Sequence, residues 1–564
     1  MRPAATALLV CMVAALAGCG SSSPGGTSAD PASAVPATAV LYAGASVRPT
    51  GTEKTDALAA GKALTHEADP YLRLLGALET PGSAQLSFAR DVAPWLGPQA
   101  GVFLTSLPSS STLPSQLAQG LLGSSSSSQF AFGSSGAQGA IVMDTSDSAK
   151  ASSFLSAQAA RAGAHATSFH GVDYEVNSGG VAFGLIDRFA VIGSETGLHG
   201  VIEATHGAGS LVHSSGYAKL LAAAPPDALA HIYANPAGFA GPSTQVQGLA
   251  GLLRGLAGAH EANVSLVPSG TSLSLDADTL ASGSAGAAGG LLAADPESAQ
   301  ALGELPGEAW LAIGLGHVGT TLGQDIQELQ GLTSLGTTLG GGTPESTAGL
   351  SISGLVGGLM TPLRALGANT AQARREFASW MGSAGIFASG ANLLELRGAV
   401  VISSKRPAAS RAAVAELAAQ LRKAGAQISP ASIPGTEAAV GARVNGLPVV
   451  LDIADGRDSA GQSKFVLGIG EASVQAALDP PSTLAVAAPR TAAAADLGEG
   501  IQPSMIVSFP TFLTLLEGIG LSEDPSIVKF VPYLRSATTL AGGGREVGGG
   551  IDRFRLVLGL QAGG

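Results

Sequence analysis

Cysteine is nearly missing from this 564-residue chain; the two present, Cys11 and Cys19, both sit near its start. The rest has no thiol for disulfides, redox work or thiolate metal sites. Aromatic residues make up only 4%. Sugar-binding clefts are built on stacked rings, so this scarcity disfavours a carbohydrate-binding role. Charged residues are 12%, about half the usual share. Positive charge is short as well: 29 Lys and Arg face 41 Asp and Glu, a net charge of −12 with a pI near 5.2. Such a balance argues against nucleic acid and against an electrostatic grip on anionic lipid. Mean hydropathy is +0.32, yet beyond the N-terminal region no stretch offers the apolar length of a membrane span.

What is present begins with a secretion pattern. Arg2 gives a short basic start, and an apolar run follows from Ala4 to Leu16. The run is too short for a permanent span but fits a signal-peptide core. It closes on Leu16-Ala17-Gly18-Cys19, which is similar to a bacterial lipobox. In such signals Leu16, Ala17 and Gly18 are read by the processing machinery. The Cys19 thiolate then takes a diacylglyceryl group, and cleavage precedes it. The expectation is a signal peptide over 1–18, a lipid on Cys19 and an extracytoplasmic protein held to the cell membrane by acyl chains. Each buried CH₂ adds about 0.8 kcal/mol to such an anchor. Residues 19–36 are small and polar and read as a flexible tether, reaching about 20–25 Å.

The 79 glycines and abundant Ala and Ser sit in a chain long enough to bury a core without staples. Self-comparison suggests an internal duplication. Trp95–Phe103 resembles Trp380–Phe387, and Gly139–Val142 resembles Gly398–Val401. Each of the latter leads to a helical stretch closed by a glycine, Gly163 or Gly425, suited to the left-handed position past a helix. Phe189–Glu195 pairs without gaps with Phe465–Glu471, and His231–Pro236 lines up with Met505–Pro510. Both Phe-initiated blocks run into a helix with i, i+3, i+4 apolar spacing: Leu198, Val201, Ile202 and Val474, Ala477, Leu478. Ser194 is an N-cap candidate, and Asp479-Pro480-Pro481 a stop.

The expected fold is α+β: two related halves, 37–280 and 305–564, joined by a connector over 281–304. Each half is a mostly antiparallel sheet with helices packed on one face. Val181–Ile186 with Phe189–Ile192, and Val264–Val267 with Leu273–Leu275, read as hairpins. The serine-rich 109–136 stretch reads as a loop.

The strand Val40–Gly44 with Ala45-Ser46-Val47-Arg48-Pro49, the Asp91–Gly97 segment, the Ala140–Leu155 strand and helix, and Phe189–Gly193 together carry a resemblance. The chain resembles a family of actinobacterial envelope lipoproteins defined by a domain of unknown function. The resemblance implies a fold and a cell-envelope location, and supplies no reaction, ligand or active residue.

Several motifs have the residue types of a functional site. Gly314-Leu315-Gly316-His317-Val318-Gly319 follows a strand and precedes a helical pattern, as a dinucleotide fingerprint does. No second strand ends in Asp or Glu some 20 residues on, so a tight turn is the expectation. His199, His206 and His213 are seven apart, but Gly207 and Gly209 interrupt any shared helix, and no metal motif or cofactor is expected. There is no Gly-x-Ser-x-Gly elbow. Glu195 and Glu471 are explained by helix-start electrostatics, with a symmetric acidic pair as the alternative. Trp95 and Trp380 read as core anchors.

Two apolar stretches are more suggestive. One carries Leu249, Leu252, Leu253 and Leu256; the other Leu355, Leu359, Met360 and Leu363. They read as helices on the sheets or as walls of an apolar groove. Three functions follow, in order of preference: a non-catalytic binding or scaffolding module with a lipid or protein partner in the envelope, a carrier of lipophilic molecules, and a hydrolase without a recognisable motif.

Overall fold

A computed structural model describes residues 29–66, 88–106, 132, 137–235, 261–280, 295–319, 378–444, 449–520, 522, 528 and 530–561. Two compact units are present: Met1–Ser282 with Gly549–Ile551 and Ala562–Gly564, and Gly283–Gly548 with Asp552–Gln561.

The first unit contains β1 (Leu41–Ser46), β2 (Leu96–Ser106), β3 (Gln138–Thr145), β4 (His165–Phe169), β5 (Val172–Val176), β6 (Val181–Ile186), β7 (Phe189–Ser194), β8 (Ala230–Ala234), β9 (Ala262–Ser269) and β10 (Ser272–Leu280). Antiparallel pairing sets the spatial order β4-β5-β6-β7-β3-β2-β1-β8-β9-β10. The hairpin expected across Asp187-Arg188 is β6–β7, with Asp187 at φ 51°. The second expected hairpin is β9–β10.

All six residues of β7 are buried, so both faces of the sheet are covered there. On one face Ile141, Met143, Ala190 and Ile192 meet Phe154 and Leu155 of helix Ser148–Arg161. On the other lies helix Glu195–Glu203, with Leu198, Val201 and Ile202 fully buried. Ser194 caps that helix, its Oγ accepting from the Gly197 N–H at 3.0 Å. Gly163, at φ 67°, ends helix Ser148–Arg161 in the left-handed conformation.

The second unit contains β11 (Leu311–Leu315), β12 (Met381–Ser389), β13 (Arg397–Ser404), β14 (Gln427–Pro430), β15 (Thr436–Arg443), β16 (Val450–Arg457), β17 (Ser463–Ile469), β18 (Gln502–Ser508), β19 (Ala537–Gly548) and β20 (Ile551–Leu560). Their order is β14-β15-β16-β17-β13-β12-β11-β18-β19-β20. Phe465 and Leu467 face Val414, Leu417 and Leu421 of helix Pro407–Lys423. Val466 faces the opposite way, toward Val474 and Leu478 of helix Glu471–Leu478. Period-two alternation on one strand thus feeds two apolar layers.

Two expectations are corrected. The reading of two duplicated halves, each with its own sheet, gives way to a single twenty-stranded antiparallel sheet; the α+β class stands. Side-chain periodicity fixes which residues point in or out, but the N–H and C=O groups along a strand edge leave no side-chain pattern. Where a hydrogen-bonded ladder stops is therefore not written in the blocks of similar sequence. Helices, moreover, cover both faces at the centre of each unit rather than one.

Composition also misplaced two borders. The described end of the supposed tether is packed: Pro31–Ala34 form a 3-10 turn capped by Asp30, and Ala32, Ala34 and Val35 are fully buried. The Val35 carbonyl accepts from the Leu211 N–H at 2.8 Å. Within the supposed connector, Pro296–Gly303 form a helix that packs on β11, with Leu302 fully buried.

Candidate functional site

Leu16, Ala17, Gly18 and Cys19 lie outside the described residues, as do Leu249, Leu252, Leu253, Leu256, Leu355, Leu359, Met360 and Leu363. So does all but Phe132 of the serine-rich 109–136 stretch. The remaining candidates are placed. Trp95 is 1% exposed and Trp380 2%, each inside an apolar cluster. Gly314 and Gly316 face helix Pro296–Gly303, which precedes their strand. A Cβ on Gly314 would run into the Ser298 carbonyl oxygen, and one on Gly316 into the Asp295 carboxylate. The Gly316 N–H donates to Ser298 Oγ at 2.8 Å. The glycines thus serve helix–strand approach, not a phosphate. Among the described residues there is no cluster of three His, Cys, Asp or Glu able to hold a metal ion, and no helix long and apolar enough to cross a membrane.

Three polar sites emerge that sequence reading did not assemble. The first joins Tyr174 of β5 to helix Glu195–Glu203. The Tyr174 hydroxyl donates to Glu195 Oε1 at 2.7 Å and lies 2.8 Å from His199 Nε2. A hydroxyl has one proton, so with that proton on Glu195 the Nε2 of His199 must carry its own and donate. The His199 ring stacks on Phe169 with centroids 3.8 Å apart and planes 10° apart. Burial, reinforced by Glu195, pushes Tyr174 up to about 12, while burial lowers His199. The phenol therefore stays protonated and the group reads as a clamp between strand and helix. Of the three spaced histidines, His199 alone enters this site; His213 instead bonds Ser210 Oγ through Nδ1 at 3.0 Å.

The second is a pair of carboxylates, Asp452 on β16 and Glu471 at a helix start. Burial, then the Glu471 charge, raises Asp452 to about 6. The folded state thus holds this proton more tightly than the unfolded chain does. That contribution is fully present below the unfolded value, near 4, and is lost as pH rises through about 6. Asp452→Asn is therefore expected to be more stable than the parent above pH 6, by about 1–2 kcal/mol. The gain should vanish near pH 4. Urea unfolding of both proteins at pH 7.5 and pH 4 measures this; an equal difference at both pH values would reject it.

The third, and the only one of the three with a described cleft, surrounds Lys464. This residue lies on β17 directly opposite Ser403 of β13. Its side chain is 4% exposed. The ammonium donates to Glu304 Oε2 at 2.6 Å and to Ser403 Oγ at 3.0 Å, with Gln462 Oε1 at 3.5 Å. Asp458 Oδ2 stands 3.6 Å away. Asp458 is fixed in the β16–β17 turn, where its Oδ1 accepts the Ala460 and Gln462 N–H groups at 3.0 and 2.8 Å. Glu304 arrives from the end of helix Pro296–Gly303. A buried ammonium is tolerable only when paired and hydrogen-bonded, and here both conditions hold. The cleft beside it measures about 190 Å³, and its apolar wall includes Leu305, Val401, Ala477 and Leu478. No sequence signal marks Lys464: its partners lie 160, 61 and 2 residues away.

No curated protein and no solved structure matches the chain. A family model does, the one described as protein of unknown function (DUF3352), over residues 3–440. That span is well over half of the sequence, and it takes in the Trp95 segment, the Tyr174 clamp and Glu304 of the cleft. The chain belongs to the DUF3352 family.

Proposed function

We propose that this protein is an envelope lipoprotein of the actinobacterial kind, anchored through Cys19, that works as a non-catalytic binding module. The Lys464 cleft carries the binding part of this reading. It brings an ammonium, two carboxylates and an apolar wall to one small concave place. Its charged groups are engaged in holding one another, which suits recognition rather than proton transfer. The anchoring part is supported by the order of basic start, apolar run and Leu16-Ala17-Gly18-Cys19.

Cell fractionation tests the anchor. The parent is expected in the membrane fraction, with the mass of a diacylated N-terminal Cys19. Cys19→Ser should move most of the protein to the soluble fraction. A variant that stays membrane-bound with residues 1–18 attached overturns the reading.

A further inference from the structure

We propose that the Lys464 cleft binds a small carboxylate with a short apolar chain, and that Glu304 is the internal carboxylate it displaces. The inference rests on reading the protein as a binding module and adds the ligand class.

Lys464 has three hydrogen-bond partners, and a longer ion pair to Asp458 Oδ2 at 3.6 Å that stays in place throughout. Ser403 and Gln462 belong to the same sheet region, one on the paired strand and one two residues earlier in the chain. Glu304 is different. It comes from a helix end 160 residues away, and its side chain is 35% exposed while that of Lys464 is 4% exposed. The shortest bond to the buried ammonium is thus made by a carboxylate that itself reaches water, and Glu304 is the more open of the two acids, Asp458 being 18% exposed.

A carboxylate arriving from solvent reproduces that bond. The ammonium remains paired throughout, so the large cost of leaving a buried charge alone is never met. Glu304 swings out and recovers its hydration. The exchange leaves the charge around Lys464 unchanged and adds burial of the ligand's chain against Leu305, Val401 and Leu478, which line the same cleft. A volume of about 190 Å³ is below the roughly 300–1,000 Å³ of sites for drug-sized ligands. It suits a molecule of a few carbon atoms.

A tethered carboxylate competes at high effective concentration. The parent should therefore bind only weakly, and removal of Glu304 should strengthen binding. The probe is valerate, titrated calorimetrically into the full-length protein in mild detergent. Methyl valerate serves as the uncharged control and inorganic phosphate as the other anion. Glu304→Ala is expected to bind valerate at least tenfold more tightly than the parent, with methyl valerate silent. Lys464→Met should bind none.

Equal or absent valerate binding in parent and Glu304→Ala overturns the proposal. Phosphate binding in place of valerate, or methyl valerate binding as well as valerate, overturns it too. Should Lys464→Met fail to fold, the Glu304→Ala and methyl valerate comparisons decide alone. A protein that remains membrane-anchored and binds no valerate keeps the anchoring and loses this ligand.

Discussion

Trp95→Ala is expected to lower the unfolding free energy by about 3–5 kcal/mol, the range for truncating a buried aromatic residue. Trp95 is 1% exposed and stands 5.1 Å, ring to ring, from Phe154. Its Nε1–H donates to the Asp91 carbonyl at 2.8 Å. Alanine would lose the packing and leave a cavity between β2 and helix Ser148–Arg161. It would also strip the Asp91 carbonyl of a donor. Urea denaturation gives the number directly. A variant within about 0.5 kcal/mol of the parent would have the signature of a surface substitution, and Trp95 would then have to be read as a ligand contact instead.

Gly314→Ala should cost about 3 kcal/mol, near the upper end for overpacking. The obstacle is backbone of one helix turn: the Ser298 carbonyl oxygen and the Leu302 nitrogen. Neither can step aside as a flexible side-chain tip could, so helix Pro296–Gly303 must shift away from β11. This separates two explanations of one motif. Glycines that cradle a pyrophosphate would lose nucleotide affinity on substitution and keep most of their stability. Glycines that admit a helix lose stability, whether or not any nucleotide is present. A thermal or urea midpoint indistinguishable from the parent's would reject the packing explanation.

Local features were legible because they depend on neighbours in the chain. The i, i+3, i+4 spacing of Leu198, Val201 and Ile202 marked a helix face that is fully buried. Asp187-Arg188 marked the β6–β7 turn, and Gly163 and Gly425 marked helix ends, at φ 67° and 95°. The packed turn Pro31–Ala34 was missed because its alanines and proline look like a spacer. Small apolar residues bury well when a surface is offered, and composition cannot report that surface. The helices on both faces of the central strands were missed for a similar reason. Continuous burial along β7 differs from half-burial only in what lies above and below it.

The candidate sites divide along the same line. Glu195 stood out at a helix start, yet Tyr174, which binds it at 2.7 Å, is 21 residues earlier on another element. Asp452 gave no signal, since its raised proton affinity comes from burial and from Glu471, neither visible along the strand.

By itself the sequence determined the lack of thiols beyond Cys19, the acidic balance, the turns and caps, and which side chains alternate toward a core. All of these follow from composition or from spacing of a few residues. Only the tertiary structure decided that the strands join in one sheet and that Lys464 is buried against Glu304. Backbone edge pairing is indifferent to side-chain identity, and a through-space ion pair is set by where two distant segments pack, not by the distance between them along the chain.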